Sequence, residues 1–256
     1  MPTFLFNEII FGPVKSRRLG NSLGINLLPT KSKLCNFNCV YCECGLNDDS
    51  ASDPYPQRET ISSHLEKKLK ELKTINDLPD VITFAGNGEP TMHPQFAKVI
   101  DDTILLRNNF APQCEITVLS NATMLRNPKV MEALKKVDRA FMKIDSAIET
   151  TSKTINQPTM SIPLETLASQ MRELGENLII QTMFIRGTAN GIDFDNTSKV
   201  EIDALIDFYE KTKPSEIQIY SIARDTPIDT LETITKPELT KIAEIISKQG
   251  FNVNVF

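Results

Sequence analysis

The stretch KLCNFNCVYCECGL (residues 33–46) places four of the chain's five cysteines, Cys35, Cys39, Cys42 and Cys44, within ten residues. Thiols this close can pair as disulfides, close around a zinc ion or cradle an iron-sulfur cluster. The first twenty residues are a poor secretory signal. Asn7 and Glu8 break the apolar start, and the basic residues follow it instead of preceding it. The expected compartment is therefore the reducing cytoplasm, where clustered cysteines bind metal or do redox chemistry. No run approaches the eighteen or so apolar residues of a membrane span, so no membrane partner is expected. The CxxxCxxC spacing of Cys35, Cys39 and Cys42 supplies three corners of a cubane cluster and leaves its fourth iron open. A closed zinc site asks for four donors, and Cys44 is available as the fourth. It stands only one residue beyond Cys42, tighter than the usual zinc knuckle.

Outward from this stretch the chain reads as one α/β domain, 1–256. It has 256 residues, 40% hydrophobic and 24% charged, enough for one large core. Apolar runs of strand length lie at 22–28, 81–85, 115–119, 139–144, 178–185 and 216–222. Most are continuous and not alternating, as expected for strands buried on both faces of a parallel sheet. Helical periodicity falls between them. Ile61, Leu65, Leu69 and Leu72 share one face, and Phe96, Val99 and Ile100 another. Asn127 caps a helix that opens on Pro128. Leu164, Leu167, Met171 and Leu174 mark the fourth helix, Leu205, Phe208 and Tyr209 the fifth. Thr235 and Glu238 form a capping box before the sixth, which stops at Gly250. Six βα units in alternation imply right-handed crossovers, in a doubly wound sheet or an open barrel. Residues 1–20 read as a preceding arm, 21–225 as the core, and 226–256 as a terminal helix and short strand. Pro29 to about Thr60 makes an unusually long first βα loop.

Parallel α/β folds gather ligand groups at the carboxyl ends of their strands. Here the cysteines, then GNGEPTMHP, SNAT, DSAIET, RGTAN and ARDTP follow successive strands, so all six segments should share one rim. Within AGNGEP, Glu89 would repel the phosphate that a Gly-rich turn usually cradles. The turn suits a cation such as a primary ammonium. Of the two histidines, His64 reads as surface or core filling and His93 as a turn residue near the rim. Cys114 reads as a buried structural thiol. The net charge of -5 gives no general attraction to nucleic acid, so RNA is a possible but disfavoured partner. Lys15, Arg17, Arg18, Lys31 and Lys33 form a local basic concentration that reads as solvated surface.

CxxxCxφC with the aromatic Tyr41 before the last cysteine resembles the radical SAM enzymes. NGEP (87–90) resembles that family's GGE motif, with Asn87 in place of the first glycine. GPVKSRRLGNSLGINLLP (12–29), followed closely by the cysteines, resembles the wybutosine-synthase-like subgroup. The likeness covers about 11–225, most densely the first 95 residues. It implies a partial (β/α)6 TIM-like barrel of parallel strands. It also implies a 4Fe-4S cluster on Cys35, Cys39 and Cys42, with S-adenosylmethionine cleaved reductively to a 5′-deoxyadenosyl radical that abstracts hydrogen from a small molecule, peptide or RNA. In that frame Tyr41 sits against the adenine, Gly88 and Glu89 hold the methionine ammonium, and Asn87 is a further cofactor-binding residue. Ser120, Asn121, Lys143, Asp145 and Ser146 contact ribose or carboxylate, while Arg186, Asn190 and Tyr220 are further rim residues. A one-electron donor of flavodoxin or ferredoxin type is implied as partner. No cysteine precedes Cys35, so the second cluster of wybutosine-forming members is not expected. A glycyl-radical-enzyme activase is the alternative within the class, and a non-enzymatic zinc-binding module the alternative outside it.

Overall fold

A computed structural model describes residues 4–47, 53–160 and 162–256. The apolar runs become strands covered on both faces: β3 (Val81–Phe84) is buried at every position, and the strands Glu115–Ser120 and Leu178–Met183 nearly so. The order is β1 (Ile10–Ser16), β2 (Gly20–Ile25), α1 (Arg58–Thr74), β3, α2 (Phe96–Phe110), β4 (Glu115–Ser120), α3 (Pro128–Leu134), β5 (Arg139–Lys143), α4 (Glu149–Asn156), α5 (Leu164–Arg172) and β6 (Leu178–Met183). It continues with β7 (Ile185–Ala189), β8 (Ile192–Asp195), α6 (Lys199–Thr212), β9 (Glu216–Tyr220), β10 (Leu231–Thr233), α7 (Lys236–Ser247) and β11 (Val253–Val255).

The main sheet runs β1-β2-β3-β4-β5-β6-β9-β11. Every pair from β2 to β11 is parallel. This is the order of a partial (β/α)6 barrel, open between its edges β1 and β11. Phe84 meets Phe96 of α2 at 6.3 Å, so even positions of β3 face the helices and Thr83 faces the concave interior. Ile61, Leu65, Leu69 and Leu72 are all buried beneath α1. The Asn127 cap and the Thr235–Glu238 capping box form as the sequence predicts.

Three features differ from the sequence reading. The arm is not separate from the sheet, because β1 pairs antiparallel with β2. Pro13 lacks an N–H, and an edge strand, with one side unpaired, tolerates that loss. The run 178–185 ends as a strand at Met183, and the segment expected as a rim loop is instead the β7–β8 hairpin, joined by β10 in a second sheet. Its turn residues, Asn190 and Gly191, both take positive φ, 52° and 75°. Asn-Gly between two apolar runs is the sequence signal for such a turn. Finally, α4 occupies what was expected as a loop after β5. Residues 48–52 of the long first loop, and Ser161, lie outside the described residues.

Candidate active site

The cysteine loop has no regular structure of its own and is held from two sides by borrowed backbone pairs. On one side Leu34 forms a parallel bridge with Gly88: Leu34 N–H donates to the Asn87 carbonyl at 2.8 Å, and Glu89 N–H to the Leu34 carbonyl at 3.1 Å. Gly88 has φ 138°, and a Cβ there would collide with the Leu34 carbonyl oxygen. Only glycine permits this approach. On the other side, Asn38 N–H donates to Asn156 O, Val40 N–H to Ile155 O, both at 2.9 Å, and Thr159 N–H to Asn36 O at 2.9 Å. The end of α4, missed in the sequence, is therefore the second wall of the loop.

Between these walls stand Cys35, Cys39 and Cys42, all free thiols. Asn121 Nδ2 lies 3.9 Å from Cys35 Sγ, and Asn156 Nδ2 lies 3.7 Å from Cys39 Sγ. Burial pushes the Cys35 thiol up to about 12 and also raises Cys39. A hydrogen bond from the Cys44 thiol is the main reason Cys42 sits below its ordinary value. Cys44 itself rests 3.5 Å from the Gly86 carbonyl. Lys33 is not solvated as expected: it is buried, with Nζ donating to Gly45 O at 2.7 Å, and its charge favours the thiolate form of the cysteines around it. Among the described residues no three His, Cys, Asp or Glu side chains converge on one ion-sized point. A cubane takes each thiolate at a separate iron.

Glu89 is 2% exposed. Its Oε1 accepts from Thr91 N–H at 3.0 Å, Thr91 Oγ1 at 2.5 Å and Ser120 Oγ at 2.9 Å, and its Oε2 accepts from Asn121 N–H at 2.7 Å. Among the described residues no lysine or arginine nitrogen lies within 4 Å of it. Burial raises its pKa against these hydrogen bonds. A buried carboxylate with a lone pair left on Oε2 and no cation beside it fits an incoming ammonium. Cys35 is close by, since Asn121 touches both.

Across the loop, Asp145 is 1% exposed and gathers Tyr41 OH, Lys143 Nζ, Asn156 Nδ2 at 2.6 Å and Met183 N–H at 3.0 Å. Burial lowers the pKa of Lys143, but Asp145 and Cys39 outweigh it and hold the amine cationic. Lys143 lines a small cavity with Phe37, Asn121, Asp145 and Asn156. The Tyr41 ring is buried beneath this cation, 4.8 Å from Lys143 Nζ, while its backbone N–H and C=O make no hydrogen bond among the described residues. The backbone, and not the ring, is what Tyr41 leaves available.

The remaining expected site residues turn elsewhere. Asn87 does not face the cysteines: Nδ2 donates to Phe6 O at 2.9 Å and Pro29 O at 2.8 Å, and Oδ1 accepts from Phe6 N–H at 2.8 Å. It fastens the arm to the loop. Ser120 is held by Glu89, and Ser146 donates to Glu201 Oε2 of α6 at 2.6 Å. Arg186 lies on β7, paired with Glu238 at 3.0 Å and Asp195 at 3.7 Å, because its segment is a strand and not a rim loop. Asn190 is in the β7–β8 turn. Tyr220 stacks under Arg18, at 4.4 Å. His93 uses both ring nitrogens on backbone groups, Pro56 O and Gln95 N–H. His64 is exposed and Cys114 buried, as expected. Asn36, Thr123 and Asn156 carry no motif signal. Asn36 and Thr123 enter through buried hydrogen bonds, Asn36 Nδ2 donating to Thr123 Oγ1 at 2.6 Å and Asn121 Nδ2 to Asn36 Oδ1 at 2.7 Å, and Asn156 through its contacts to Cys39 and Asp145.

Two variants test this geometry. Gly88→Ala should cost more than about 2 kcal/mol in chemical denaturation, since neither bridging strand can retreat. Asn87→Gly restores the commoner motif residue but frees the arm. Amide exchange at Phe6 should accelerate at least tenfold, and unchanged exchange would show that Asn87 does not hold the arm.

A family model described as the Radical SAM superfamily matches residues 30–188. A Brachyspira hyodysenteriae protein named GTPase Obg is 30% identical over 253 residues, 96% of this chain but 34% of that protein. A UPF0026 protein of Helicobacter pylori strain J99 is 31% identical over 221 residues, 84% of this chain and 67% of that one. This chain thus spans a third of one relative and two thirds of the other. The solved structure of TYW1 with a lysine-pyruvate adduct bound covers 89% of this chain and 73% of its own, with a TM-score of 0.61 at 14% identity, a likeness of fold. The family model covers more than half of the sequence and includes both the cysteine loop and the Gly88–Glu89 turn, and on that ground the chain belongs to the radical SAM superfamily.

Proposed function

We propose that Cys35, Cys39 and Cys42 hold a 4Fe-4S cluster whose fourth iron takes S-adenosylmethionine, and that this enzyme uses the pair to start a hydrogen abstraction. The observation that carries the reading is Glu89, a buried carboxylate without a cation, fixed beside Cys35 by the Leu34–Gly88 bridge. When bound, the cluster supplies the electron that breaks the sulfonium C–S bond and yields a 5′-deoxyadenosyl radical.

The chain's own residues supply binding and orientation. Glu89 Oε2 and the Gly88 carbonyl, which accepts no hydrogen bond among the described residues, receive the methionine ammonium. A charged hydrogen bond of this kind contributes roughly 1.5–3 kcal/mol. Lys143, kept cationic by Asp145, is the partner for the methionine carboxylate. The unpaired backbone of Tyr41 is available to the adenine edge. Ser120 and Asn121 position Glu89 instead of touching the cofactor. Lys33 lowers the cost of deprotonating the cysteines as the cluster binds. The electron comes from a one-electron donor of flavodoxin or ferredoxin type.

The test is product formation after anaerobic reconstitution with iron and sulfide, followed by dithionite and S-adenosylmethionine. The wild-type chain should release 5′-deoxyadenosine. Cys39→Ala should abolish release, Glu89→Ala should slow it at least about tenfold, and Cys44→Ser should retain it. Cleavage that survives in both Cys39→Ala and Glu89→Ala would overturn the assignment.

A further inference from the structure

A second, larger cavity of about 790 Å³ opens on the concave face, within the usual size of small-molecule sites. None of the residues assigned above to S-adenosylmethionine lines it. Its floor is Ser22 and Gly24 of β2, Thr83 of β3 and Leu119 of β4. One wall is aromatic: Phe6 and Phe11 stack at 3.9 Å, and the Phe11 ring lies where a side chain at position 24 would have to be. It reaches the cysteine loop, because Glu43, between Cys42 and Cys44, is part of its lining.

The charge of this cavity is opposite to that of the chain. Lys15, Arg17, Arg18 and Arg224 line it, against Glu43 and Asp225, in a protein of net charge -5. Arg224 is paired with Glu43 at 2.5 Å. Among the described residues, Lys15, Arg17 and Arg18 have no carboxylate within 4 Å. Arg18 is the most constrained of them. It projects from the β1–β2 turn onto the Tyr220 ring at 4.4 Å, and its Nη1 is buried without a hydrogen-bond acceptor. An unmatched buried donor is costly to retain, and a guanidinium fork held in one plane matches the two oxygens of a carboxylate or phosphate.

We propose that this cavity is the substrate site and that the substrate carries a carboxylate or phosphate held by Arg18, with an apolar body against Phe6 and Phe11. The inference rests on the radical SAM reading for its placement next to the cluster loop. It names the substrate class that the family alone does not. Arg17, Lys15 and Arg224 add the field that draws the anion in, and the basic run near the start of the sequence has a ligand role instead of a merely solvated one.

Calorimetry on the full chain, as purified and after reconstitution with S-adenosylmethionine, tests it with three probes: phenyl phosphate, benzoate and neutral benzyl alcohol. At least one anion should bind tenfold or more tighter than benzyl alcohol, and the tighter of the two identifies the anionic group. Arg18→Gln should weaken that anion at least tenfold, while Lys98→Gln, an exposed lysine on α2 removed from the cavity, should not change it. Circular dichroism of Arg18→Gln reports whether the fold is retained, and if it is not, Arg17→Gln is read in its place with a loss of at least threefold expected. Anions that bind no better than benzyl alcohol, or bind equally to wild type and the arginine variants, would overturn the proposal. The 5′-deoxyadenosine assay is read separately, so failure of the cluster reading and failure of the anion site are distinguishable.

Discussion

Leu34 and Gly88 pair through two backbone hydrogen bonds, and the contact requires that position 88 carry no side chain. Each is followed by a residue of the site: Cys35 after Leu34, Glu89 after Gly88. The bridge therefore fixes a thiol and a buried carboxylate side by side, with Asn121 reaching both. Ordering an irregular loop costs about 1–2 kcal/mol per residue in backbone entropy. The pairs to Asn87, Ile155, Asn156 and Thr159 offset that cost. A cluster held by the proposed cysteines would add stability to the same loop, because thiolate ligation is coupled to folding.

The charges on the two sides of this loop are arranged differently. On the side of β3 to β5, Glu89 lacks a cation and Lys143 is held beside Asp145, a pattern suited to a ligand with both an ammonium and a carboxylate. On the side of the arm, Lys15, Arg17 and Arg18 have no carboxylate within 4 Å among the described residues, while Arg224 is paired with Glu43. On the proposed reading, the first side would take a zwitterion and the second an anion, and Glu43 of the cysteine loop lines the second. Asn87 links the two sides mechanically, because its carboxamide ties Phe6, in the wall of the larger cavity, to the turn that carries Glu89.

The fold was legible because its signals are local. Apolar runs of the right length, a Pro128 behind Asn127, and the Thr235–Glu238 box each specify structure within a few residues. The β7–β8 hairpin carries a local signal in Asn190-Gly191, but it reads as a rim loop because the polar content of that segment imitates one. What could not be read was the direction of side chains whose partners are distant. Asn87 meets Phe6 across 81 positions, Asn156 meets Cys39 across 117, and Arg18 reaches Tyr220. Lys33 and Arg18 belong to one basic stretch in the sequence, yet one is buried among thiols and the other stacks in a cavity, because the turn of β1 onto β2 separates them.

The electron paramagnetic resonance spectrum of the reconstituted, dithionite-reduced chain, recorded before and after addition of S-adenosylmethionine, tests the central claim most directly. Three cysteines around a cluster with one accessible iron predict a reduced-cluster signal that changes shape when the ligand is added, and that loses this response in Glu89→Ala. A chain that retains zinc and no iron, or a cluster signal unaltered by S-adenosylmethionine in the wild type, would contradict it.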